Sequence, residues 1–182
     1  MIQVALTSED IDRAWEVNNK LDDQGYKHRK INKSGQDYTM IGLIGEQMIS
    51  KTLDLRKVES FDFDFKDEED RTFEIKTQQS KVVPFPDYRC KVLSLKKSQA
   101  TDFYIFCTLN DSWKYGFIIG YIPNQLFHDL RFFVPKGNIH YSKTGIKFTN
   151  SYDHWAIEAK DLRVINRDHF LVRVDNFVEN RV

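Results

Sequence analysis

Between residues 61 and 76 the side chains change character one by one. Phe61, Phe63 and Phe65 interleave with Asp62 and Asp64; after the acidic run Asp67-Glu68-Glu69-Asp70, Phe73 and Ile75 interleave with Glu74 and Lys76. Successive side chains of a strand leave opposite faces, so a period of two describes strands with one apolar and one polar face. Two such segments joined by a polar turn predict a β-hairpin, and parity sets its register. With a three-residue loop at Glu68-Glu69-Asp70, Asp64 lies opposite Glu74 and Asp62 opposite Lys76, while Phe65, Phe63 and Phe61 face Phe73, Ile75 and Thr77. The charges then share one face and the large apolar groups the other. A two-residue loop would set every acid against an apolar partner, a slip that the pattern forbids.

The rest of the chain supplies elements for this hairpin to pack against. Ile11, Ala14, Trp15 and Leu21 recur at helical spacing over about 8–22, with Thr7 or Ser8 placed to cap the start. A polar, basic stretch from Gly25 to Gly35 reads as a loop, after which Asp37 can cap a second helix running to about residue 53, with an apolar stripe of Ile41, Ile44, Met48 and Ile49. Gly42 and Gly45 weaken that helix and so imply that something packs closely against it. Pro84 and Pro86 break the chain, residues 88–95 return as a third strand, and a short helix is expected around Lys96-Lys97. The near-continuous apolar runs 103–109 and 115–122 predict strands buried on both faces. Beyond Pro123 a short helix over 125–130 and strands around Phe132, Trp155 and Val164 are expected. The fold class is α+β (α/β): one domain, a central mixed sheet flanked by helices, a core over about 38–123 and a β-rich extension over 124–182.

Composition narrows the function. The 27 Lys and Arg cancel the 27 Asp and Glu, so the chain lacks the overall basicity of a non-specific nucleic-acid binder. The charges are nevertheless segregated, with Lys27, His28, Arg29, Lys30 and Lys33 in one basic run, a candidate phosphate track. No window approaches the ~20 apolar residues of a membrane span, and the first residues lack a secretion pattern, so a cytoplasmic protein without membrane association is expected. Cys90 and Cys107 stand far apart and read as buried thiols rather than as a disulfide or a zinc site. The five histidines show no metal-ligand spacing, and no phosphate-binding Gly-rich loop, dinucleotide fingerprint or Gly-x-Ser-x-Gly is present.

Glu74 and Lys76, two apart on a strand, leave the same face. Carboxylates grouped with a lysine suit metal-assisted phosphodiester hydrolysis, in which oxygen ligands hold Mg²⁺ and the ammonium orients water or offsets charge on the phosphate. The elements Asp62-Phe63-Asp64, Glu74-Ile75-Lys76 and Gly42-Leu43-Ile44-Gly45-Glu46 resemble the PD-(D/E)XK nuclease superfamily over residues 38–109, in its order of helix, three strands, helix, strand. That resemblance implies a restriction-endonuclease-like core and a Mg²⁺- or Mn²⁺-dependent nuclease, with DNA as the expected substrate and a homodimer as a possible assembly. Asp64, Glu74, Glu46 and the Ile75 carbonyl would then hold the metal, Lys76 would position water, and Gln78 could contact the substrate. No proline precedes the acid, since Ser60-Phe61 leads into Asp62, so Asp62 stands as an alternative to Asp64, which the register favours. The competing reading is a nuclease-fold module that binds nucleic acid or a protein without cutting. Glu158-Ala-Lys160 repeats the Glu-x-Lys spacing with no acid-bearing strand before it and reads as surface.

Overall fold

A computed structural model describes residues 1–23, 38–60, 62–93, 100–141 and 147–166. The fold is α+β, built on a six-stranded mixed sheet in the order β1-β7-β6-β4-β3-β2. Its strands are β1 (Ile2–Ala5), β2 (Arg56–Lys57), β3 (Phe65–Lys66), β4 (Thr72–Ser80), β6 (Phe103–Asn110) and β7 (Tyr115–Pro123). A second sheet, in the order β5-β11-β8, joins β5 (Arg89–Leu93), β8 (Phe132–Val134) and β11 (His154–Glu158); β9 (Ile139–Tyr141) pairs with β10 (Lys147–Thr149). The helices are α1 (Ser8–Asp23), α2 (Tyr38–Thr52) and α3 (Asn124–Leu130). Among the described residues no helix is long and apolar enough to cross a membrane.

Where the hairpin is paired, its register is the one that parity demands: Phe65 faces Phe73 and Lys66 faces Thr72. The ladder stops there, so the expected pairs Asp64–Glu74, Asp62–Lys76 and Phe63–Ile75 do not form, and Phe61 lies outside the described residues. The turn differs from a solvated acidic loop in one respect. Asp67 is buried, its carboxylate accepting the backbone N–H groups of Glu69 and Arg71 at 3.0 Å each and the Arg71 Nε at 2.6 Å. Asp70 takes the left-handed conformation, with φ of 61°, that closes such a three-residue turn. Glu68, Glu69 and Asp70 are exposed.

Apolar residues on the two faces of the large sheet make two cores. Phe65, Phe73, Ile75, Phe103, Ile105 and Cys107 pack with Met48 and Ile49 of α2. Tyr104, Phe106, Ile119 and Ile122 pack with Phe127 of α3 and with Cys90, Val92 and Ile157 of the second sheet. β6 is therefore buried on both sides, as its continuous apolar run predicts. β4 and β6 run parallel, so the chain must cross over between them, and β5 lies on that crossover. The expected third strand of the central sheet thus joins the smaller sheet instead, and β2 completes the trio with β3 and β4. Local alternation shows that a segment is a strand but not which sheet will hold it.

Smaller expectations also shift. Thr7 caps α1, accepting the Asp10 N–H at 3.3 Å while Asp10 accepts the Thr7 N–H at 2.8 Å. Trp15 is 41% exposed, and α1 buries Asp10, Ala14 and Asn18 instead. Around Val164 there is a single bridge, Tyr121 with Arg163, and Val164 itself is exposed. The expected helix at 96–97 and the Asp37 cap lie outside the described residues.

Close approach of α2 to β4 depends on Gly45 and not on Gly42. A Cβ on Gly45 would sit 1.7 Å from the Thr77 hydroxyl oxygen, whereas one on Gly42 would meet nothing within 4 Å. Gly45→Ala should therefore lower stability by about 1–3 kcal/mol, as overpacking does. Thr77→Ala on that background should recover part of the loss, and urea denaturation of the two proteins measures both.

Candidate active site

The hairpin and α2 bring three carboxylates together. β3 begins at Phe65, and residues 62–64 before it are irregular, with Asp64 N–H donating to the Phe73 carbonyl at 2.9 Å. The Asp64 side chain then does what the next strand residue would have done: its carboxylate accepts the Ile75 N–H at 2.7 Å. A strand residue points its N–H and C=O to the same neighbour, so the Ile75 carbonyl faces the same gap. Among the described residues nothing donates to it.

Each carboxylate has a distinct partner. Glu74 is 6% exposed and accepts the Lys76 Nζ at 2.5 Å; Glu46, largely covered, pairs with Lys57 of β2 at 2.9 Å. Burial raises the Asp64 carboxyl to about 7, with the charges of Glu74 and Glu46 adding to the rise and the Ile75 N–H and Lys76 opposing it. Burial likewise raises Glu46; Lys57 offsets it and Glu74 adds to it. Glu46, Asp64 and Glu74 are thus electrostatic neighbours, contributed by α2, by the segment just before β3 and by β4. Among the described residues, no three His, Cys, Asp or Glu side chains stand in an arrangement that could hold one metal ion.

The remaining expected site residues fare differently. Asp62 is exposed, and the hydrogen bond at its backbone N–H goes to the Ser60 hydroxyl, so Asp64 and not Asp62 is the acid beside Glu74. Gln78 is occupied by β5: its Nε2 donates to the Arg89 carbonyl at 3.0 Å and to the Tyr88 hydroxyl at 2.8 Å, and its Oε1 accepts the Lys91 N–H at 2.9 Å. The carboxamide acts as a peptide group would, satisfying the outer edge of β5 and tying the two sheets together. Its side chain therefore works as a strut between the sheets. Lys27, Arg29, Lys30 and Lys33 lie outside the described residues. Glu158 and Lys160 pair with each other at 2.6 Å on the surface.

Two neighbours of the site escaped the sequence reading. Lys57, the partner of Glu46, sits in a two-residue strand too short to register as alternation. Tyr104 stands beside Glu74 in the parallel register, a placement that only the β4–β6 pairing reveals. Burial raises its phenol, the Glu74 charge adds to the rise and Arg131 opposes it.

The chain matches no known family model, and no curated protein is similar to it.

The electrostatics yield a sign. The folded chain holds protons on Asp64 and Glu46 that the unfolded chain releases near the ordinary carboxylate value of about 4. Their contribution to stability is therefore present at low pH and declines as pH rises through about 7, where folded Asp64 ionises. Asp64→Asn keeps an acceptor for the Ile75 N–H and removes the charge. It should melt above the native protein at about pH 8, with the gap closing towards about pH 4 in a series of thermal melts. Separately, Gln78→Ala should cost about 1–3 kcal/mol in chemical denaturation, because it strands the Arg89 carbonyl and the Lys91 N–H.

Proposed function

We propose that this chain is a metal-dependent nuclease of the restriction-endonuclease-like kind, hydrolysing phosphodiester bonds, with DNA as its substrate. The observation that carries the reading is the grouping of Glu46, Asp64 and Glu74 around one strand, with Lys76 on Glu74 and an Ile75 carbonyl to which no described residue donates. Also in its favour is the sheet: Asp64 directly precedes a strand antiparallel to the Glu-x-Lys strand, which in turn pairs parallel with β6.

The donor types suit a hard divalent cation, although the three carboxylates would have to draw closer together to share one. Carboxylate and carbonyl oxygens are the ligands that Mg²⁺ and Mn²⁺ prefer, and a cation would offset the burial that raises Asp64 and Glu46. Asp64, Glu74, Glu46 and the Ile75 carbonyl would hold it. When bound, it would supply Lewis-acid polarisation of the phosphate and a more acidic water. The chain's own residues do the rest. The Ile75 N–H fixes the Asp64 carboxylate in direction, and Glu74 holds the Lys76 ammonium where it can orient attacking water or offset charge on the phosphate. Lys57 keeps Glu46 extended towards β2.

Labelled single-stranded, duplex, branched and RNA substrates, incubated with Mg²⁺, Mn²⁺ or EDTA, test the proposal. Cleavage should require the metal and fall by at least about a hundredfold in Glu74→Gln and Lys76→Gln. Metal should also raise the melting temperature of the native protein at about pH 8 and leave Asp64→Asn much less affected. Native-like turnover in Lys76→Gln would defeat the assignment. Metal-independent binding with no cleavage of any substrate would instead favour a nuclease-fold binding module.

A further inference from the structure

A path of rings leads from the carboxylates to the surface. Tyr104, beside Glu74 in the parallel register, lies 4.9 Å from the Phe127 ring. The Arg131 guanidinium stands 5.8 Å from the centre of Phe127 and 4.4 Å from that of Trp155. Trp155 and Phe133 are directly opposed residues of β11 and β8, so their rings leave the same face, and they meet edge to face at 5.3 Å. Phe133, at the outer end, is 48% exposed on an edge strand of the smaller sheet.

A single exposed phenylalanine needs no explanation. This one borders a tryptophan that carries an arginine, and among the described residues Arg131 meets rings rather than carboxylates. A guanidinium held over rings keeps its donors for an anion, and an exposed ring offers a π-face next to it. Anion and π-face together are the two halves of a nucleotide. In a duplex the base faces are covered by their neighbours, so only an unpaired, frayed or flipped nucleotide can use such a surface.

We propose that Phe133, Trp155 and Arg131 form a subsite for one unpaired nucleotide of a nucleic-acid strand, its base stacked on Phe133 and its phosphate held by Arg131. That the ligand is a nucleic-acid strand rests on the nuclease reading; the binding test does not.

The test is a fluorescence-anisotropy titration of the full chain in EDTA with labelled oligothymidylate, oligouridylate and a blunt duplex. Phe133→Leu should weaken single-strand binding by about 5- to 100-fold and leave duplex binding unchanged, whereas Phe133→Tyr should bind like the native protein. Arg131→Gln should also bind more weakly and flatten the salt dependence of single-strand binding by about 0.7 in the log–log slope. Single-strand binding by Phe133→Leu as tight as the native value overturns the subsite, and so does failure of the native protein to bind either oligonucleotide. EDTA keeps cleavage out of this readout, so the subsite can fall while the carboxylate chemistry, judged by the cleavage assay, stands.

Discussion

Everything near the candidate site depends on the register of one short hairpin. β3 has two residues, too few to fix its own alignment, and a one-residue slip would exchange its rings for its acids. Two devices hold it. Phe65 and Phe73, opposite each other and fully buried, oppose the slip from the core side. At the turn, the Asp67 carboxylate closes the loop with three hydrogen bonds and so counts out its residues. With the register set, Asp64 stands where β3 gives out, and its carboxylate replaces the missing peptide group on Ile75. An acid used as a strand partner has its direction fixed by the sheet, which is the preorganisation that polar chemistry in a covered site requires.

A side-chain amide plays the matching part on the other flank of β4. Gln78 faces the same way as Glu74 and Lys76 and completes the edge of β5, so a single strand carries both the charged residues and the tie to the second sheet. Behind the strand, Gly45 lets α2 approach Thr77 closely enough that Glu46, one residue further on, reaches Lys57 at the sheet edge. The site is thereby assembled from elements whose separations are set by hydrogen bonds and by the absence of one Cβ. A change in any of these contacts moves carboxylates relative to one another rather than merely loosening the fold.

What was legible in the sequence follows the strength of each local signal. The hairpin, its register, α1, α2 and the doubly buried β6 and β7 all announce themselves by periodicity, because half or all of each element meets a core. The buried Ile41, Ile44, Met48 and Ile49 follow the predicted helical stripe. β1 escaped because a four-residue segment is too short to stand out, and the destination of β5 escaped because sheet membership is a tertiary choice. Asp67 was hidden for another reason: an acidic run looks solvated, yet its first member is buried by the turn it organises. Within the candidate site, spacing and parity single out Asp64, Glu74 and Lys76, whereas Glu46 entered through the family resemblance of its glycine-flanked helix. Lys57, Tyr104 and Arg131 join them only through pairing across the sheets and the packing of α3.

The two cysteines of this chain divide between its two sheets. Cys107 lies on β6 and faces the α2 core; Cys90 lies on β5, within the core that the second sheet closes. Burial pushes both thiols up, that of Cys90 to about 12, so neither offers appreciable thiolate while the fold is closed. Each becomes reactive only when its own surroundings open, and a thiol reagent applied under native conditions would time those openings one sheet at a time. Equal rates would mean that the sheets part as one cooperative unit. A faster Cys90 would mean that the smaller sheet can lift from the strand that carries Glu74 and Lys76 while the larger one stays closed.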